Sequence, residues 1–171
     1  MNRVIYLLLP ALLVFACTQK QSEKEPTVTE TWGERARNIK IVRDQYGVAH
    51  VYGKTDADAV FGLMYAQCED DFPRVERNYI WAIGRLAEVE GEEALYSDLR
   101  ARLFMTEAEA KEYYDQAPAW LKKLCEAWAG GINYYLEQNP GVKPALLMKF
   151  EPWMTMYFTE GSIGGDIESI L

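Results

Sequence analysis

Histidine is nearly absent from this chain, cysteine is sparse, and basic residues are outnumbered. One His and three Cys among 171 residues leave no zinc-finger spacing and no His-rich metal site. Lys and Arg total 18 against 26 Asp and Glu, a net charge of −8, which excludes the basic face that nucleic-acid binding requires. The sequence has no internal repeat and no apolar run long enough to span a membrane as a helix. What it does have is 49% apolar and 13% aromatic residues, the composition of a packed core in a single domain.

The first residues read as a leader. Asn2 and Arg3 give a short basic start, and Val4 to Ala16 is an apolar run with Pro10 inside, so residues 1–16 suit a secretory signal. The run closes on Val14-Phe15-Ala16-Cys17, which resembles the lipobox of bacterial lipoproteins. The expectation is that Cys17 is lipidated and that the protein is exported and anchored to a membrane, facing the periplasm or cell exterior. The alternative is an ordinary signal peptide with an incidental cysteine. Residues 17–34, rich in Gln, Ser, Lys and Glu, read as a flexible tether, and 35–171 as the folded domain. Export would permit a disulfide between Cys68 and Cys125, but both lie in apolar helical patterns and are read as buried free thiols.

The folded part opens with two β-rich runs, Ile39 to Arg43 and Val48 to Tyr52, around Asp44-Gln45-Tyr46-Gly47, which predicts a hairpin with a positive φ at Gly47. His50, in the second run, is read as structural. Helices follow. Thr55 to Asp58 looks like an N-terminal cap, Pro73 predicts a kink or a break, and Thr106-Glu107-Ala108-Glu109 is a capping box. Buried stripes are expected at Val75, Tyr79, Ala82, Leu86 and Val89, and at Leu121, Leu124, Trp128, Gly131 and Tyr135, the second ending at Asn139-Pro140-Gly141.

No local pattern supplies a complete reaction centre. Glu69-Asp70-Asp71 with Arg74, Arg77 and Arg85 reads as a salt-bridged helix surface, with Asp70 and Arg74 paired four residues apart. The glycines around Ser162 lack the Lys-Ser/Thr of a phosphate loop, and Ser162 lacks the setting of a nucleophile elbow.

Five blocks in order carry a resemblance. Ile41-Val42-Arg43-Asp44 through Tyr46-Gly47-Val48-Ala49-His50-Val51 resembles the R-D-x-x-G-V-P-H-I opening of the penicillin acylase family, with Ala49 in place of the usual Pro. Asp56 through Phe61-Gly62-Leu63-Met64-Tyr65-Ala66-Gln67 and Asp70 is similar to its next block, with Asp71 where the family has Arg. Arg77 with Gly84-Arg85-Leu86-Ala87-Glu88 and Gly91, then Trp128-Ala129-Gly130-Gly131-Ile132-Asn133, then Glu151-Pro152-Trp153, complete the series.

The resemblance implies an α+β fold: the mostly helical α-chain part of an N-terminal-nucleophile hydrolase, with a short N-terminal β-hairpin. Such enzymes are made as precursors that cut themselves into an α chain and a β chain, and the β chain's N-terminal Ser attacks the amide. No catalytic residue is therefore expected in this segment, which alone would be inactive, and the implied partner is its own β chain in a heterodimer. The implied substrate is a small acylated amide, penicillin-like or acyl-homoserine-lactone-like. Met156 and Phe158 fall where the family's α chains line the acyl pocket, with core packing as the other reading. Asp166 falls where an α-chain acid joins β-chain carboxylates around a structural calcium, with a helix-start Asp as the other reading. No organic cofactor is implied. A non-catalytic helical lipoprotein that binds a partner or apolar ligand is the alternative to the hydrolase.

Overall fold

In the computed structural model of the protein, which describes residues 28–157, the first element is a helix, α1, Val28–Arg37. It overlaps the stretch read as a tether, so residues 28–34 are helical. Two ties hold it to the body: Arg35 Nε lies 3.7 Å from Asp58 Oδ1, and the Trp32 indole lies against Gly130.

The hairpin forms as the sequence predicts. Strands β1 (Lys40–Arg43) and β2 (Ala49–Tyr52) pair antiparallel, with Ile41 opposite Val51 and Val42 opposite His50. The turn closes because Asp44 Oδ1 accepts the Tyr46 and Val48 N–H groups at 2.8 and 3.1 Å while Gly47 takes φ +82°. A two-stranded ribbon is marginal alone, so its packing matters. At Gly62 the side chains of Val51 and Ile39 come so close that a Cβ would meet them at 2.6 and 2.7 Å.

Helix α2 (Asp56–Ala82) starts at the expected cap. Thr55 Oγ1 accepts the Asp58 N–H at 3.2 Å, and Asp58 Oδ2 accepts the Thr55 N–H at 3.1 Å. The helix breaks at Asp71, whose φ and ψ are −161° and 71°. Asp71 then caps the second half, accepting the Arg74 N–H at 3.2 Å, and Pro73 sits in that new first turn, where no N–H is needed.

The break corrects the expected ion pairs. Asp70 and Arg74 straddle it and no longer share a face, so Arg74 Nε pairs with Asp71 at 2.9 Å, while Arg43 takes Asp70 at 2.7 Å and Glu69 at 3.2 Å. The acidic cluster thereby fastens the hairpin to α2.

The stripe expected from Val75 to Val89 is also cut short. Gly84 (φ +67°) ends α2: its N–H donates to Trp81 O at 3.0 Å and the Arg85 N–H to Ile80 O at 2.9 Å. This is the Schellman arrangement that a left-handed glycine permits. Leu86 stays buried, but Val89 belongs to the short helix α3 (Ala87–Glu90) and is exposed. A 3-10 turn at Glu92–Ala94 leads into α4 (Leu95–Phe104), followed by α5 (Glu107–Gln116) behind the predicted Thr106 capping box.

Helix α6 (Ala119–Gln138) packs along α2 and forms the core with it. Phe61, Cys68, Ile80, Ile132 and Phe150 are fully enclosed. Gly131 marks the closest approach, since a Cβ there would stand 2.4 Å from the Phe61 carbonyl oxygen. Irregular chain then leads to a 3-10 helix, Pro152–Met156. The described residues are thus mostly helical with one small hairpin, as expected, and Cys68 and Cys125 are buried free thiols.

Candidate functional site

The sequence places its pocket candidates at the end of the described chain, where the 3-10 helix Pro152–Met156 lies against α5 and α6. Met154 points into the main core, and Trp153 bridges that core and a smaller cluster of Ala82, Ala110 and Tyr157. Trp153 and Tyr157 meet with ring centroids 6.0 Å apart, and the Lys111 ammonium stands 4.9 Å above the Trp153 ring. Met156 is half-buried against the smaller cluster. The candidate pocket residue that can be placed, Met156, is therefore packed against a small apolar cluster. Phe158, Asp166, Cys17 and Ser162 lie outside the described residues.

Two buried polar side chains fix the chain that leads into this 3-10 helix. Glu76 is only 3% exposed, and its carboxylate accepts three successive backbone N–H groups. Oε2 takes Ala145 at 2.9 Å, and Oε1 takes Leu146 and Leu147, both at 2.8 Å. Asn133 pairs with Phe150 in both directions, donating Nδ2–H to its carbonyl at 2.8 Å and accepting its N–H at 2.9 Å. Asn133 belongs to one of the resembling blocks, which was its only signal. Glu76 gave none, because it sits between residues that read as an exposed, salt-bridged face.

A cleft of about 650 Å³ opens along α2, with Met64, Val75, Tyr79, Leu86 and Trp128 as its apolar part and Gln67, Arg77, Asn78 and Ser97 as its polar part. The groups near it do not make a nucleophile. Burial pushes the Cys68 thiol up to about 12, so it stays protonated, and burial raises Tyr79 as well. Ser97 Oγ accepts the Trp81 indole N–H at 2.8 Å. His50 instead faces Asp44 Oδ2 at 3.2 Å on the exposed hairpin, where the pairing holds the Asp44 carboxyl below its usual range. Among the described residues no group of three or more His, Cys, Asp or Glu could hold a metal ion, and no helix is long and apolar enough to cross a membrane. The cleft's own hydroxyl at Ser97 is engaged by the Trp81 indole rather than by a general base.

Residues 38–164 match the family described as penicillin amidase. The chain is 32% identical over 101 residues to the acyl-homoserine lactone acylase QuiP of Pseudomonas fluorescens Pf-5, covering 59% of this chain and 12% of that protein. It is 26% identical over 121 residues to the penicillin acylase 2 proenzyme of Pseudomonas sp. SE83, covering 67% and 16%. The chain thus spans less than a fifth of the length of these relatives. In fold it is similar to a thermostable penicillin G acylase from Alcaligenes faecalis, with a TM-score of 0.63 and 21% identity over 77% of this chain and 74% of that one.

Proposed function

The chain belongs to the penicillin amidase family, and from that premise we propose that it is the α-chain region of an exported acylase that hydrolyses small amides with an apolar acyl group. The observation that carries the reading is the match of residues 38–164 to that family, and the packed apolar cluster at Trp153, Met156 and Tyr157 is the part of this chain offered as the acyl-side wall. Substrates of penicillin-like or acyl-homoserine-lactone-like type are supported by what the relatives are called.

In this reading the bond-breaking groups come from a partner β chain released from the same precursor. Its N-terminal Ser hydroxyl attacks the amide carbon while the α-amine takes the hydroxyl proton. The C–N bond then breaks, the amine leaves with that proton, and water cleaves the acyl ester to the acid and the free Ser. In this reading the present chain would hold the acyl end, with Met156 and Phe158 as the candidate pocket residues. A structural calcium ion would take Asp166 as one of its about six to eight oxygen ligands, the rest coming from the partner. Lipidation of Cys17 would hold the protein at the membrane, each buried methylene adding about 0.8 kcal/mol.

The test is to produce the protein from its complete reading frame, follow its division into two chains, and measure acid release from aryl- and fatty-acyl amides. Division with acid release is expected. If Ser162→Ala abolished turnover while division and assembly stayed intact, the nucleophile would lie in this chain and the reading would fall. Cys17→Ala should move the exported protein from the membrane fraction to the soluble one; retention after a high-salt wash would remove the anchor from the proposal.

A further inference from the structure

We propose that Glu76 and Asn133 are positioning residues that set the depth of the acyl-side wall, and so the length of acyl chain accepted; the second clause rests on the hydrolase reading above. Between Asn139 and Glu151 the chain forms no helix or strand, so its backbone N–H groups need partners from elsewhere. The three N–H groups at Ala145, Leu146 and Leu147 converge on one carboxylate from α2. Three successive N–H groups turned to one point form a cradle for an anion, and here the anion is a side chain of the same chain. Asn133, from α6, grips Phe150 at both its N–H and its C=O, as a neighbouring strand would.

The two grips bracket a short segment and continue directly into the wall. Phe150 is fully buried against the rings of Phe72, Tyr79 and Trp128, and two residues later Pro152 opens the 3-10 helix that carries Trp153 and Met156. Any slip at 145–150 therefore moves the wall. A buried carboxylate is a poor device for stability, because desolvation offsets much of what its hydrogen bonds return. It is a good device for register, since it binds three donors at fixed distances and tolerates no substitute acceptor geometry. Glutamine has the same shape but presents an NH2 where an acceptor is needed, so Glu76→Gln isolates the grip from the packing.

The experiment uses the complete precursor, wild type and Glu76→Gln, with Asn133→Ala as the second variant. Amide hydrogen exchange is read at 143–152, and kcat and KM are read for a short-chain and a long-chain acyl amide. In Glu76→Gln, exchange at 145–147 should rise about tenfold or more while α6 keeps its protection, as expected for loss of a buried hydrogen bond. The long-to-short ratio of kcat/KM should shift about tenfold, chiefly through KM, and Asn133→Ala should shift it in the same direction. Unchanged exchange overturns the grip. Raised exchange with an unchanged acyl ratio overturns the positioning role. A wild-type precursor that releases no acid overturns the hydrolase reading and the chain-length clause together, while the exchange result still decides the grip by itself.

Discussion

Where α2 crosses α6, Gly131 stands against the Phe61 carbonyl and Ile132 is fully enclosed. Across α4, in contrast, Leu103 is 86% exposed and Phe104 72%, with Tyr96, Leu95 and Leu99 exposed as well. The first region is held by packing that no side chain could enter. The arm from Leu86 to Phe104 buries Leu86 and Ala94 but leaves most of α4's apolar side chains exposed, and polar ties supplement that packing. Asp98, itself buried, accepts the Leu86 and Ala87 N–H groups at 2.7 and 2.8 Å; Arg102 Nε donates to Gly84 O at 2.9 Å; and the Trp81 indole reaches Ser97. The lesson is that one small fold can contain a region whose failure is all-or-none and another that loosens tie by tie.

Gly131→Ala should show the largest effect. The added methyl group meets backbone rather than a movable side chain, so α2 and α6 must separate, at a cost of at least about 3 kcal/mol. Denaturant unfolding checks it, and a loss under about 1 kcal/mol would break the contrast between the two regions. Asp98→Ala should cost about 2 kcal/mol by orphaning two N–H groups, one of them wholly buried. Its signature is early proteolysis at Arg100 and Arg102 while the α2–α6 pair stays resistant. Cleavage of both regions at the same rate would mean that the arm and the core unfold as one unit.

Acid should loosen the arm next. Hydrogen bonds from Arg85, Arg77 and Thr106 hold the carboxyls of Glu88, Glu90 and Glu109, in that order, below the ordinary glutamate value of 4.5. A lowered folded-state value stabilises the fold fully above the ordinary value, and that contribution is lost as pH falls through the lowered ones. All three groups are exposed, so the effect is modest: exchange in α3 and at the start of α5 should rise below pH 4.5 before exchange in α6 does. Leu103→Ser should be the mildest, within about 0.5 kcal/mol of wild type by thermal unfolding, because it leaves no cavity. A larger loss would show that α4's outer face is covered.

What was legible in the sequence is what local chemistry decides. Asp44 to Gly47 closes its own turn, Thr55 and Thr106 bond three residues ahead, and Pro73 excludes an N–H from its own backbone; each device is complete within a few residues. Val89 was misplaced because Gly84 turned the chain by a left-handed residue that apolar spacing cannot register. Asp70 and Arg74 were mispaired because helical spacing assumes a helix without a break. Glu76 and Asp98 were invisible for a different reason. Each spends its oxygens on backbone N–H groups, which every residue carries, so no side-chain pattern marks the partner. At the candidate site, Trp128 and Trp153 of the resembling blocks pack in or against the core, and Met156 is found as one more side chain packed against the smaller cluster.

The reach of Glu76 has a consequence for synthesis. Its partners lie 69 to 71 residues downstream. At about 5–20 residues per second, the carboxylate leaves the ribosome seconds before any N–H group arrives to receive it. An ionised carboxylate without donors cannot enter an apolar core, so during that interval the second half of α2 keeps a hydrated side chain among the residues that will later be sealed. The carboxylate that ends as a clasp therefore stays solvated until residues 145–147 have been made, so this part of the core can close only after them.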